Sequence, residues 1–294
     1  MALCLANPFS FWAGRGKLLR TSRRWLRGGP HEADEYTESV TMFYATIARY
    51  YDAEHTDKTD DLILYSELAD ETGGPILDVG CGTGRVMFHL AQEGHVVHGI
   101  DSEYAMLERA KVKLNAFGHI RDKLRFHHGD VLTYDLGMRF KLALLSYNAL
   151  MHFHTHEVQR ALLKRLHEAL EVDGLLVIDL PNAGDAFASP DSDAITLERS
   201  FVDAETGHLV MQQATSSLDR VEQLMRVNWI YDEITADGTL KRTLASVIFR
   251  HFFYSELSLL LEMCGFRIED VYGSAERDPF EDGCERMIIL ARPV

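Results

Sequence analysis

Residues 76–85 read Ile76-Leu77-Asp78-Val79-Gly80-Cys81-Gly82-Thr83-Gly84-Arg85, a buried-strand run that passes through three alternating glycines into a helix. Glycine lets the backbone turn tightly there and approach a ligand closely. The helix start just beyond offers unpaired N–H groups and a partial positive charge. A dinucleotide fold places G-x-G-x-x-G at such a turn, whereas this chain has G-x-G-x-G with Arg85 where the last glycine would fall. The mismatch points away from a nicotinamide cofactor and the oxidoreductase that would use it.

Downstream of this stretch, short apolar runs alternate with helical ones, which predicts a parallel sheet with crossover helices on both faces. Strands are expected near 75–80, 95–101, 124–128, 141–147 and 174–180, with helices near 84–93, 103–115 and 156–170 between them. After Pro181 the alternation stops. Four segments of period-two character near 195–203, 208–217, 221–232 and 239–252, with Gly207 and Asp237-Gly238 at the turns, predict an antiparallel meander. A helix at 255–264 and strands at 266–272 and 284–292 return to α/β. Upstream, apolar spacing through Val40, Phe43, Tyr44, Ile47 and Tyr51, then Leu62, Tyr65 and Leu68, predicts helix over 36–71.

Residues 1–30 stand apart, since Arg15, Lys17, Arg20, Arg23, Arg24 and Arg27 meet no acid there while the 294-residue chain carries a net charge of -15. So acidic a body repels phosphate backbones, which argues against a nucleic-acid partner and for a small molecule. Phe11, Leu18 and Trp25, with Trp12, Leu19 and Leu26, would line one face of a helix opposite those cations, the pattern of a peripheral membrane contact through residues 11–27. The alternative is a disordered arm or a helix docked on the acidic body, because Gly14 and Gly16 weaken the helix. Four cysteines without CxxC spacing suggest neither disulfides nor zinc, and with no apolar stretch long enough to cross a bilayer they point to the cytoplasm. His152, His154 and His156 alternate without carboxylate partners, and no metal is expected. Nothing in the pattern fixes an oligomeric state.

Two further acids bear on the ligand. Asp101 ends the second expected strand, where a carboxylate meets both ribose hydroxyls of an adenosine, and Asp130 in Gly129-Asp130-Val131 closes the third, placed to accept from an adenine amino group.

In order and spacing, the stretch 76–85, Gly99-Ile100-Asp101, Gly129-Asp130 and Gly174-Leu175-Leu176-Val177-Ile178-Asp179 resemble the motifs of class I S-adenosylmethionine (SAM)-dependent methyltransferases over residues 40–294. The resemblance implies a Rossmann-like, mostly parallel seven-stranded sheet with its last strand antiparallel, here carrying the inserted meander. It implies SAM as cofactor: Asp78, Gly80, Gly82 and Gly84 on the methionine part, Asp101 on the ribose, Met106 on the adenine, Asp130 with Val131 at its edge. Ser146, ending the fourth strand, is assigned to the same set. The expected organisation is a tail at 1–30, a helical segment over the active site at 31–74, the SAM-binding core at 75–182, the insertion at 183–253 covering the acceptor pocket, and the remaining helix and strands at 254–294.

The segment Ser146-Tyr147-Asn148-Ala149-Leu150-Met151-His152-Phe153 is similar to one in glycine N-methyltransferases and amino-sugar N,N-dimethyltransferases, which keep a histidine there and a tyrosine ahead of it on an N-terminal helix. That assigns His152 as base and Tyr51 as its companion, for transfer to an amine nitrogen more readily than to oxygen; histidine titrates in the range needed to take an ammonium proton. The glycine enzymes carry a carboxylate-binding arginine after the fifth strand, where this chain has Leu180-Pro181-Asn182. A SAM-binding regulatory or partner protein without catalysis is the alternative. Arg226, Arg250, Trp229, Tyr231, Phe249 and Phe252 are further candidates for the acceptor pocket.

Overall fold

A computed structural model describes residues 32–189, 192 and 194–294 of the chain. The tail expectations lie outside the described residues. Helix α1 (Glu32–Glu54) and helix α2 (Asp60–Thr72) replace the single helix expected over 36–71. Between them the chain turns through 55–59, with Lys58 donating to the His55 carbonyl and Leu62 to that of Thr59. The apolar spacing lapses over 54–61, where no apolar residue falls, and its two halves serve different surfaces, so the gap marks the turn between two helices.

The sheet is built from β1 (Ile76–Val79), β2 (Val97–Asp101), β3 (Leu124–His128), β4 (Phe140–Leu145), β5 (Leu170–Pro181), β10 (Phe266–Tyr272) and β11 (Arg286–Pro293), in the order β10-β11-β5-β4-β1-β2-β3. Strand β11 runs antiparallel to both of its neighbours and the other pairs are parallel. Because successive strand side chains point to opposite faces, Ile76, Leu142 and Leu144 pack under α2, α3 (Arg85–Gln92) and α4 (Tyr104–Leu114). Leu77, Val79 and Leu145 pack under α5 (His156–Ala169) and α7 (Tyr254–Met263).

The meander forms a separate four-stranded sheet, β6 (Thr196–Val202), β7 (Leu209–Asp219), β8 (Leu224–Ile234) and β9 (Leu240–Arg250), entered through the short helix α6 (Ala183–Ala188). Its inner face does not close directly on the parallel sheet. Val210, Ala214, Met225, Val227, Tyr231 and Val247 pack on Phe43, Ile47 and Tyr50, so α1 lies against this second sheet. Tyr50 stacks on Tyr231 with centroids 4.7 Å apart, and Arg49 pairs with Asp203 and Glu233. Among the described residues no helix is long and apolar enough to cross a membrane.

Candidate active site

A cavity opens at the carboxyl ends of β1, β2, β3 and β4, where open α/β sheets place their ligands. From the sequence-predicted set, Gly80, Gly82, Asp101, Met106, Asp130, Val131, Ser146, Tyr51 and His152 all line it. Asp78 and Gly84 do not. Asp78 sits behind the wall, accepting a 2.9 Å hydrogen bond from the Ser146 hydroxyl, and burial raises its carboxyl to about 7. Gly84 starts α3 in the left-handed region at φ 85°, and a Cβ there would lie 2.9 Å from the Phe88 ring, so its reason for being glycine is backbone and packing.

Asp101 does more local work than a ribose contact alone requires. One carboxylate oxygen accepts from the Gly82 N–H at 2.7 Å and the other from the Glu103 N–H at 2.8 Å, so it ties the glycine loop to the start of α4. Glu103 was missed in the sequence. It caps α4 through Oε1, which accepts from Ala105, while Oε2 is buried beside the cavity without a hydrogen-bond partner. Such an orphaned acceptor suits a ligand hydroxyl donor. The Asp-x-Glu spacing before a helix was its only signal, and that reads equally as a simple cap. The loop needs its glycines: Gly80 and Gly82 take positive φ of 72° and 56°, and a Cβ on Gly82 would approach the Met106 methyl to 3.3 Å and one on Gly80 the Ala149 side chain to 3.4 Å.

The opposite end is aromatic. Tyr44, Tyr51, Tyr147, Ala149, His152 and Phe153 line it, and among the described residues neither Lys nor Arg does. Tyr147 and Asn148 take positive φ of 41° and 73°, an uncommon pair that persists because the surroundings fix it. Arg286 of β11 donates to Asn148 Oδ1 at 3.0 Å and to Asp179, which also accepts from the Tyr65 hydroxyl at 2.6 Å. His55 stacks on Tyr51 at 4.2 Å and meets the edge of Tyr147 at 5.4 Å, so the C-terminal turn of α1 is packed against this loop. Asp52, on the same turn, accepts from Thr83 at 2.6 Å and Lys113 at 2.9 Å, fastening α1 to the glycine loop and α4.

His152 departs from expectation in its chemistry. Burial, followed by the neighbouring His154, pushes its pKa down to about 3, so the ring is neutral at physiological pH and does not hold a proton as an ordinary base would. Its Nε2 lies 2.9 Å from the Tyr44 hydroxyl. The alternating histidines separate, His154 meeting the Ile248 carbonyl and His156 Glu256. The meander contributes none of the cavity-lining residues among those described, and reaches the site through Phe249, whose ring lies 5.4 Å from that of His152. Tyr231 and Trp229 face α1 instead, and Arg250 is buried in a pair with Glu256. Of the two segments expected over the site, α1 supplies lining residues and, among the described residues, the meander does not.

A family model described as a methyltransferase domain matches residues 76–174. The dTDP-3-amino-3,6-dideoxy-alpha-D-glucopyranose N,N-dimethyltransferase of Streptomyces fradiae is 28% identical over 142 residues, 45% of this chain and 52% of that protein. Among solved structures, the CcbJ methyltransferase from Streptomyces caelestis superposes with a TM-score of 0.70 at 21% identity, over 80% of this chain and 90% of that one. SAM-bound CalS10, an amino pentose methyltransferase from Micromonospora echinaspora, does so at 0.58 and 20% identity, over 93% of this chain and 100% of that one. The chain spans about half the length of the curated relatives it matches. Residues 76–174 thus match a methyltransferase domain, and the chain shares the fold of these SAM-dependent methyltransferases.

Proposed function

We propose that the chain is a SAM-dependent methyltransferase acting on an amine nitrogen of a small-molecule acceptor. The observation that carries this reading is the two-ended cavity: acidic acceptors and close-approach glycines at one end, tyrosines and a neutral histidine at the other. Similarity to a sugar N,N-dimethyltransferase supports the amine, and the acidic net charge supports a small molecule over a nucleic acid. In this reading Gly80, Gly82, Asp101, Glu103, Met106, Asp130 and Val131 hold SAM, with Ser146 at the wall. Helix α1 roofs the site, 75–182 carry the cofactor, 183–253 buttress the roof, and 254–294 complete the sheet.

When bound, SAM supplies an electrophilic methyl group on a sulfonium. The chain's task is to align an uncharged amine with that methyl and to exclude water. Tyr51 and His152 serve the alignment. A histidine held neutral by burial is a weak base, so the acceptor enters as the free amine and His152 aids alignment without taking its proton. The reading is tested by incubating the protein with SAM and a panel of amines, amino sugars and phenols, and quantifying S-adenosylhomocysteine. Turnover with amines, rising with pH as the free amine accumulates, is expected. SAM binding without S-adenosylhomocysteine from any acceptor would make the chain a SAM-binding regulatory or partner protein instead.

A further inference from the structure

Tyr44 lies seven residues before Tyr51 on α1, two helical turns, so both rings fall on one face and both line the cavity. The Tyr44 hydroxyl meets Nε2 of His152, 108 residues away, at 2.9 Å, with the rings edge to face at 5.4 Å. The other ring nitrogen, Nδ1, is buried with no hydrogen-bond partner. A neutral imidazole carries one N–H. Placed on Nδ1 it would be a buried donor without an acceptor; placed on Nε2 it is satisfied by the phenol oxygen and leaves a bare Nδ1 lone pair, the lesser penalty, with the Tyr44 O–H open to the cavity. The second arrangement wins, and it leaves the Tyr44 O–H and one oxygen lone pair uncommitted at the acceptor end.

We infer that Tyr44 is the residue whose hydroxyl contacts the nucleophilic group of the acceptor, and that His152 is a positioning residue behind it, donating from Nε2 to fix the phenol. This rests on the methyltransferase reading of the cavity. The groups facing the pair are consistent with it: Tyr51 on α1, Tyr147 and His154 on the segment after β4, Phe249 on β9, and Asp101 across the cavity. No proton is relayed onward, because Nδ1 has nowhere to send one. Burial keeps the ring uncharged, so it has a single N–H to place. The dyad joins α1 to the turn after β4, so it is complete only when the roof helix is docked.

The test uses the full chain with SAM bound and two readouts. Nitrogen-15 spectra of the histidine rings should place the His152 proton on Nε2 in the wild type, and Tyr44→Phe should erase that preference. In turnover, Tyr44→Phe should lower kcat/KM for the amine by roughly 10–100-fold while SAM affinity stays within about twofold. Tyr44→Phe with His152→Ala should fall no more than about twofold below the worse single variant, since both act as one unit. A wild-type proton on Nδ1, normal turnover by Tyr44→Phe, or multiplying losses in the double variant would each overturn the assignment. The spectrum reads the dyad independently of turnover, whereas a wild type that methylates no acceptor sinks the functional reading and the acceptor contact with it.

Discussion

The two ends of the cavity are built in different ways. The glycine-loop end comes from consecutive strand-to-helix turns, so Gly80, Gly82, Asp101 and Glu103 are placed by backbone geometry, with Asp101 accepting from the Gly82 and Glu103 N–H groups. At the aromatic end, proposed to take the acceptor, distant elements must meet: Tyr44 and Tyr51 on α1, His152 after β4, Phe249 on the meander. The first end is a local property of the chain; the second depends on α1 docking between the two sheets. Damage at the first should appear in cofactor affinity, and damage at the second in turnover.

The largest effect that would sharpen this contrast is His152→Ala, which releases Tyr44 from its partner. It should lower turnover on the order of 10²-fold with SAM affinity nearly unchanged, since misplacement of a reacting group costs about that much. Steady-state kinetics beside calorimetric titration of SAM read both quantities. Next, Asp101→Ala strips the acceptor from two backbone N–H groups and from the ligand. Loss of charged hydrogen bonds of this kind costs roughly 1.5–3 kcal/mol, which the same titration would register as ~10–150-fold weaker binding. Glu103→Gln keeps the shape of the cap but removes the charge on the orphan oxygen. About 0.5–1.5 kcal/mol of SAM affinity should go with it, the range of an ordinary hydrogen bond.

Acid should separate the ends as well. A histidine ordinarily titrates near 6.5, and His152 is pushed by burial to about 3 in the folded protein. Between those values the unfolded chain binds the proton and the native one does not, so stability is fully present above about 6.5 and falls as the pH drops toward 3. His55, buried to about 4, acts in the same direction. Melting temperature against pH should therefore decline less steeply on the acid side in His152→Gln than in the wild type; parallel curves would break the link between burial and the neutral ring. The smallest effect is expected from Arg226→Ala, on an exposed stretch of β8 outside the cavity lining, where stability and turnover should stay within about 0.5 kcal/mol of wild type.

This difference in construction also governs what was legible in the sequence. The seven strands and the meander were readable because period two and the glycine turns are local signals, and Asp101 and Asp130 fell at strand ends that the same pattern located. Two features of the acceptor end were not. Tyr44 looked like one more apolar position of an amphipathic helix, because nothing near it in the chain announces His152. The neutral state of His152 depends on burial by residues from α1 and β9, which no spacing encodes. Tyr231 was read as a pocket aromatic for a related reason: alternation gives the face it occupies, but not that α1 would fill the space between that face and the site. Arg286, which braces the turn at Tyr147 and Asn148, sits on a strand that meets the site only through the order of the sheet.

The central claim is that cofactor and acceptor ends are separable, and the most direct measurement compares SAM dissociation constants and turnover numbers for Asp101→Ala and His152→Ala side by side. The expected result is crossed, with affinity lost in the first variant and turnover lost in the second at saturating SAM. Equal losses of both quantities in both variants would contradict it.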